Sequence, residues 1–479
     1  MGLKSKNWRF LAKGRLAMLV LACLLSGLLG HGPAESSDTG SVALKPLASE
    51  QVLGVREQLP NGLVWLFSQQ SGLPMVSLQL FIKAGTLQEP KGKEGLANLT
   101  ASLLLSGAKG RSASQIAQDV DFIGARLRAG GGDDFATLSL VILKKDLGAG
   151  LGLLQDVLLN PAFAPVEVQR KVAQFEAALK SDEDDPMVVA RRTFAKELYG
   201  DFPYGHPVMG TPQGLAAITP QDLAQFHRTY YRPNNAVLSV VGDLTLDEAR
   251  QWVTKIFGAW AAAPLPSPKP AAIPPLTERK VVLIDRDISQ ANIILGNLGI
   301  NRQNPDFYAC QVMNYILGGG GFSSRLMDEI RENRGLAYSV SSSFSPGLGP
   351  GPFSVSLETK NPSAAEAISQ VQGQLKLIMS QPVTPKELED AKSHLIGSFP
   401  RKMDSMSKRA QLMGYVEIYG LGLDYPWKYP KMIQDLTPAD VQRVAEKYLQ
   451  PDKYLLVVVG KKSAMPSLTE NTELKTEEK

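Results

Sequence analysis

The chain has 479 residues, of which 44% are hydrophobic and 20% charged, the proportions of a globular protein and a length beyond one ordinary core. Its formal charge of +4 does not describe the whole chain evenly: five basic and no acidic side chains lie in the first 34 residues, which leaves 46 basic against 47 acidic elsewhere. That balance excludes an electrostatic case for binding nucleic acid or an anionic surface.

In chain order, the first feature is a basic start (Lys4, Lys6, Arg9, Lys13, Arg15), an apolar run from Leu16 to Leu29, and small residues ending near Ala34. This is the layout of a secretory signal over residues 1–34, so the protein is expected to be exported, to a periplasmic compartment. The run is short for a bilayer span. Acylation at Cys23, or retention of the segment as a membrane tether, is the alternative. Cys310 lies in an apolar helical stretch and reads as a small buried hydrophobe, with no intramolecular disulfide expected.

Asn61-Gly62 between two apolar-rich runs signals a hairpin. A strand near Met75 to Ala84 precedes a helix from about Glu94. A second strand near Phe135 to Leu143 precedes two longer helical stretches. Gly130, Gly131 and Gly132, beside Asp133 and Asp134, fall just before that second strand, and a triple glycine weakens strand structure. A T-P-x-D sequence at Thr219 and again at Thr437 caps a final helix in each case. LSVVG and LLVVVG follow as β-branched strands.

These recurrences are part of a duplication. ITPQDLAQFHRTYYRPNNAVLSVVGD from Ile218 aligns without a gap to LTPADVQRVAEKYLQPDKYLLVVVGK from Leu436. Thr219, Pro220, Asp222, Tyr230, Pro233, Val241 and Gly242 recur as Thr437, Pro438, Asp440, Tyr448, Pro451, Val459 and Gly460. Phe135 answers Phe353 at nearly the same spacing. Two α+β domains in the same element order follow, over residues 50–260 and 276–462. Six prolines make residues 261–275 an extended, stiff connector. The polar tail, 463–479, is expected to be disordered.

The most informative segment is GGGGFSSRLMDEIRENRGLAYSV, Gly318 to Val340. Gly318, Gly319, Gly320 and Gly321 lead into a helix carrying Arg325 and Arg331, and a strand containing Tyr338 follows Gly335. A phosphate-loop reading fails, because no G-K-[ST] follows and the glycines come after a helix-like MNYIL. Taken whole, the segment resembles the second-domain signature of the pitrilysin/insulinase (inverzincin) metallopeptidases, whose zinc motif is H-x-x-E-H. The resemblance implies two homologous sandwich domains, each an antiparallel-rich sheet flanked by helices, arranged as a clamshell.

EGLANLTASLLLSGAKG, from Glu94, is similar to the zinc helix of that family, yet the metal chemistry is missing. Asn98 and Ser102 stand where the family has histidines, Ala101 where it has the catalytic glutamate, and Ala178 where it has the third ligand. Catalytic zinc needs three protein donors and an open position for water. Two amide or hydroxyl groups and two methyls do not supply them. The four histidines, His31, His206, His227 and His394, form no helical pair. His206, in the turn FPYGHPVMGT, reads as structural.

The resemblance therefore points to the zinc-free subunit of a two-chain peptidase, of the bacterial and mitochondrial processing peptidase type. No cofactor is expected in this chain, and zinc is expected in a sister subunit bearing H-x-x-E-H. Arg331 and Tyr338 match the family's arginine and tyrosine that face the partner's zinc. By that match Arg331 would hold the substrate backbone and Tyr338 would donate to the scissile carbonyl, while Gly318 to Gly321 would guide the peptide. A catalytically inert scaffold or peptide-binding protein is the competing expectation.

Overall fold

A computed structural model describes residues 51–266 and 270–469. The expected signal segment with Cys23, and the tail beyond residue 469, lie outside the described residues.

The first half is built on a six-stranded sheet: β1 (Val55–Gln58), β2 (Val64–Gln69), β3 (Met75–Ile82), β4 (Arg126–Gly131), β5 (Ala136–Leu143) and β6 (Ala236–Gly242), in the order β1-β2-β6-β3-β5-β4. The hairpin joining β1 to β2 turns at Gly62, with φ of +90°, and the Asn61 side chain accepts the Leu63 amide at 3.2 Å. The second half repeats the plan with β7 (Lys280–Asp285), β8 (Gln290–Leu298), β9 (Ala337–Phe344), β10 (Pro352–Lys360) and β11 (Leu455–Gly460), in the order β9-β10-β8-β11-β7. Strand for strand, β2-β6-β3-β5-β4 corresponds to β7-β11-β8-β10-β9. In both sheets the first pair of that series is parallel and the other neighbours are antiparallel.

The helices that matter to the site are α1 (Leu96–Leu103), α2 (Pro165–Asp182), α3 (Pro186–Tyr199), α4 (Pro220–Tyr230), α5 (Phe307–Asn314), α6 (Pro385–Ser398), α7 (Met406–Ile418) and α8 (Pro438–Tyr448). The repeated T-P-x-D forms the same cap twice. The Thr219 hydroxyl accepts the Asp222 amide and the Thr437 hydroxyl accepts that of Asp440, with each aspartate reaching back to the threonine amide.

Every residue of β6 and β11 is buried, so both faces of each central strand need a cover. One face meets helices of the same half. The other meets a helix of the opposite half. Leu456 and Val458 join the core of the second half, whereas Leu455, Val457 and Val459 pack against Ala190, Phe194 and Leu198 of α3. Reciprocally, Phe81, Val237 and Val241 of the first sheet share a core with Ala410, Met413 and Val416 of α7. Gly414 makes this approach feasible, since a Cβ there would come within 2.0 Å of the Phe81 ring. Arg409 of α7 adds polar register, donating to the Ser68 hydroxyl at 2.8 Å and to the Leu53 carbonyl at 2.9 Å.

A carboxyl group also ties the halves. Asp134 is buried and accepts the Tyr204 hydroxyl, the Tyr419 hydroxyl at 2.9 Å and the Leu348 amide at 2.9 Å. Tyr204 in turn accepts the Gly349 amide at 3.0 Å. Burial first, and then the charge of Asp134, pushes the Tyr204 and Tyr419 phenols up.

Two expectations need correction. Gly130 and Gly131 do not merely precede a strand; they belong to the edge strand β4, paired with Thr137 and Ala136 of β5. Antiparallel pairing over six residues outweighs the local weakness of glycine. The segment 463–469 is not disordered: it forms short helical turns, because Met465 and Leu468 are buried in the second core.

Removing either phenolic donor should weaken the fold by about 1–3 kcal/mol, the range for a buried hydrogen bond of this kind. Tyr204→Phe and Tyr419→Phe are each expected to lower the urea midpoint, and Asp134→Ala to lower it further by leaving both phenolic hydroxyls without their acceptor. An Asp134→Ala midpoint equal to wild type would show that the node does not hold the halves together.

Candidate functional site

The helix α1, matched by resemblance to the family's zinc helix, begins at Gly95, whose φ of +103° and close approach to Met209 and Gly210 suit glycine alone. The Glu89 carboxyl lies beneath this start, with its side chain 2% exposed. It accepts the amides of Gly95 at 3.1 Å and Ala97 at 2.7 Å. Burial foremost, with the charges of Glu94 and Asp133 behind it, pushes Glu89 up to about 8 against those two amide bonds. Burial likewise holds His206 below its ordinary value, and its Nε2 stands 3.5 Å from Glu89. At neutral pH the pair is a contact between two largely uncharged groups.

One turn into α1, Asn98 and Ser102 share a face, as i and i+4 residues must. The Ser102 hydroxyl donates to Asn98 Oδ1 at 3.3 Å, and the same oxygen accepts the Gly131 amide of β4 at 3.1 Å. The Asn98 oxygen is thereby committed to clamping the helix to the sheet edge. Gly131 lies so close that a Cβ would meet the Asn98 Cα at 2.6 Å. Ala101 is fully buried among Leu96, Leu99 and Leu103. Ala178 stands half-buried on α2, which packs against α1. These residues do not fit a zinc ion: one acceptor oxygen is engaged, two positions carry only methyls, and the remaining hydroxyl is a weak ligand. Among the described residues, no group of three His, Cys, Asp or Glu side chains is placed to hold a metal.

The described histidines occupy three separate settings. His206 Nδ1 donates to the Pro207 carbonyl at 3.1 Å. His227 Nε2 donates to the Leu158 carbonyl at 2.8 Å, and burial pushes it down to about 4. His394 lies against Tyr315, with ring centroids 4.8 Å apart. Cys310 is buried, and burial foremost pushes its thiol up to about 12.

In the second half, Arg331 and Tyr338 come together. Arg331 lies on the wide helical turn Met327–Asn333 and Tyr338 on the edge strand β9. The guanidinium carbon sits 5.1 Å from the Tyr338 ring centroid and 4.8 Å from that of Phe322. Tyr338 is 77% exposed and Phe322 69% exposed. The only ion pair described for Arg331 is with the neighbouring Glu332, at 3.4 Å. Arg325, by contrast, is held bidentately by Glu387 at 2.6 and 3.0 Å and is structural.

The glycine run has mixed settings. Gly318 is buried where a Cβ would meet the Ser342 amide and hydroxyl, whereas Gly319 and Gly321 are exposed and Gly321 has φ of +61°. Asn314 fixes this turn on β9, donating to the Ser342 carbonyl at 3.1 Å and accepting the Ser342 hydroxyl at 2.8 Å. Sequence reasoning missed Phe322, Glu89 and the Asp134 node. Phe322 follows the glycine run directly, and its large aromatic side chain in a turn was the available signal.

The fold and the two edge sites define a duplicated, insulinase-like α+β protein in which the described residues of α1 and α2 present no zinc-binding set. Residues 66–212 match the family described as Insulinase (Peptidase family M16), and residues 217–395 match the Peptidase M16 inactive domain. A solved peptidase M16 inactive domain from Pseudomonas fluorescens is 32% identical, with a TM-score of 0.79 over 85% of this chain and 98% of that one. A protease from Helicobacter pylori, 20% identical, shares the fold with a TM-score of 0.78 over 85% of this chain and 99% of its own. An uncharacterised zinc protease of Bacillus subtilis is 26% identical over 85% of this chain and 98% of the relative. The chain belongs to the insulinase (M16) peptidase family.

Two measurements follow. Elemental analysis of the pure chain after dialysis against zinc should give zinc well below one ion per molecule, and stoichiometric zinc would overturn the account of Asn98, Ala101, Ser102 and Ala178. Glu89, whose folded value of about 8 lies above its ordinary value of 4.5, binds more protons when folded than unfolded between those limits. Its contribution to stability therefore falls as pH rises through that window. His206 acts oppositely and at lower pH. Urea melts at pH 6, 7 and 8 should show wild type losing stability relative to Glu89→Gln, and parallel curves would contradict the assignment.

Proposed function

We propose that this chain is the zinc-free subunit of an exported, two-chain peptidase, closing half of the peptide chamber against a sister chain that carries zinc and its general base. Family membership supports the peptidase context, and the lack of a zinc-binding set at Asn98, Ala101, Ser102 and Ala178 supports the assignment of metal chemistry to the partner. The observation that carries the reading is the Arg331–Tyr338 stack at the exposed edge of the second sheet.

In this reading Tyr338 donates from its hydroxyl to the scissile carbonyl oxygen as negative charge develops on it. No described residue hydrogen-bonds that hydroxyl, so it is free to do so. Arg331, in contact with both the Phe322 and Tyr338 rings, steadies the peptide backbone. Such donors gain strength where water is excluded and charge develops only in the transition state. The exposed glycines of the run Gly318 to Gly321 leave backbone accessible for an extended peptide. Export rests on the layout of residues 1–34.

Co-expression with an H-x-x-E-H sister chain should yield a stable complex that cleaves peptides. Tyr338→Phe and Arg331→Ala should each lower its turnover about 10²-fold, the scale of losing one oxyanion donor, without loss of assembly. Full turnover in both variants would favour the inert-scaffold reading instead.

A further inference from the structure

A second site lies in the second half, away from the Arg331–Tyr338 edge. Arg302 is buried at 2% exposure, stacked on the Phe307 ring at 3.7 Å, and donates to the Tyr415 and Tyr425 hydroxyls at 2.9 and 3.1 Å. Among the described residues no carboxylate pairs with it. A buried guanidinium ordinarily has an acid beside it, because an uncompensated charge is expensive to desolvate.

Arg302 lines a cavity of about 460 Å³ whose other charged residues are Arg401, Lys402 and Lys408. Four cations and no acid line it, and among the described residues only Lys408 has an acid partner, Asp404, at 2.9 Å. Lys402 is exposed at the rim; its ammonium lies 5.5 Å from the Phe399 ring, and partial loss of hydration first, then the charge of Arg302, holds it below its ordinary value. Mutual repulsion of this kind is relieved by an anion. The remaining lining is largely aromatic, which suits a ligand with an apolar body. An adjoining cavity of about 330 Å³ shares Phe307, Gln311 and Tyr415 with the first, and Ile300, Phe344, Leu395 and Gly319 also line it.

We propose that the paired cavities bind an apolar carboxylate, with its carboxylate beside Arg302, Arg401 and Lys402 and its apolar body in the neighbouring cavity. The guanidinium donors not taken by Tyr415 and Tyr425 suit a carboxylate, and Gly319 of the glycine run lines the second cavity. That location makes a peptide C-terminus the first source of the ligand, a choice that rests on the peptidase reading. The carboxylate site itself does not.

Isothermal titration of this chain alone, without a sister subunit, tests the proposal with three probes: an N-acetylated Leu-Phe acid, its C-terminal amide, and octanoate. The acid is expected to bind at least about tenfold more tightly than the amide, the scale of one charge-assisted hydrogen bond. The rim variant Arg401→Gln/Lys402→Gln, which leaves the buried aromatic cage intact, should weaken the acid by about tenfold and flatten its salt dependence. Arg302→Lys should do the same if it folds. Binding of octanoate without the peptide acid supports the carboxylate site and assigns it to a free acid. Equal binding of acid and amide, no saturation by any probe, or an unchanged rim variant overturns the site. Such a failure leaves assembly and turnover with a sister chain untouched, and a failure to assemble leaves this titration untouched.

Discussion

The fold depends on a reciprocal exchange of helices. β6 and β11 are buried on both faces, yet each half has helices of its own for only one. α3 covers the far face of the second sheet, and α7 covers the far face of the first. A large apolar side chain moved from water into such a core contributes about 1.5–3 kcal/mol. Phe194, Leu198, Met413 and Val416 thus bind the halves through their cores. The proline-rich connector joins the halves in sequence, but this exchange holds their faces in register, with Asp134 and Arg409 fixing the alignment by directional bonds. The edges β4 and β9, where the two candidate centres stand, occupy equivalent outer positions because the two sheets share one plan.

Much of this was legible in the sequence because it is local or periodic. Asn61-Gly62, the two T-P-x-D caps and the β-branched closing strands depend on residues a few positions apart, and the duplication repeats them. The exchange was not legible. α3 and α7 look like ordinary amphipathic helices, and which sheet they cover is decided by contacts hundreds of residues away in sequence, as between Arg409 and Ser68. Asp134 escaped for the same reason, since its donors Tyr204, Leu348 and Tyr419 come from three distant segments. The run of glycines misled because its strand pairing comes from β5 and cannot be read from the glycines themselves. Of the candidate centres, the empty metal helix and the Arg331–Tyr338 pair could be read from motif spacing, whereas Phe322 and the cationic cavity required the fold.

The shape of α1 does not depend on a metal, because protein groups hold it at its start and along its flank. A catalytic zinc keeps an open coordination position and does not serve as the folding staple that a closed site would. The start of α1 is held from below by Glu89, which takes two of its free amides, and its flank is held by Asn98 on Gly131. Ala101 fills the core with a methyl where a glutamate would need a polar outlet. The four positions thus form a packing face, and a histidine placed at one of them would supply neither the remaining donors nor a water-accessible face.

The two arginines near the second edge show how the same residue type can be assigned different work by its surroundings. Arg325 meets Glu387 in a bidentate pair; against burial, that pair and the Thr384 cap pull the Glu387 carboxyl down to about 2. Its charge is neutralised, and it anchors the helical segment to α6. Arg331, one and a half turns on, is positioned by the faces of Phe322 and Tyr338, which orient a guanidinium without cancelling its charge. Glu332, which touches it at 3.4 Å, is itself more than half exposed, so water screens that pair. A cation held in place by rings keeps its hydrogen-bond donors for whatever approaches the sheet edge. A carboxylate partner in the place of Phe322 would hold Arg331 as firmly but would neutralise its charge and take up two of its five donors.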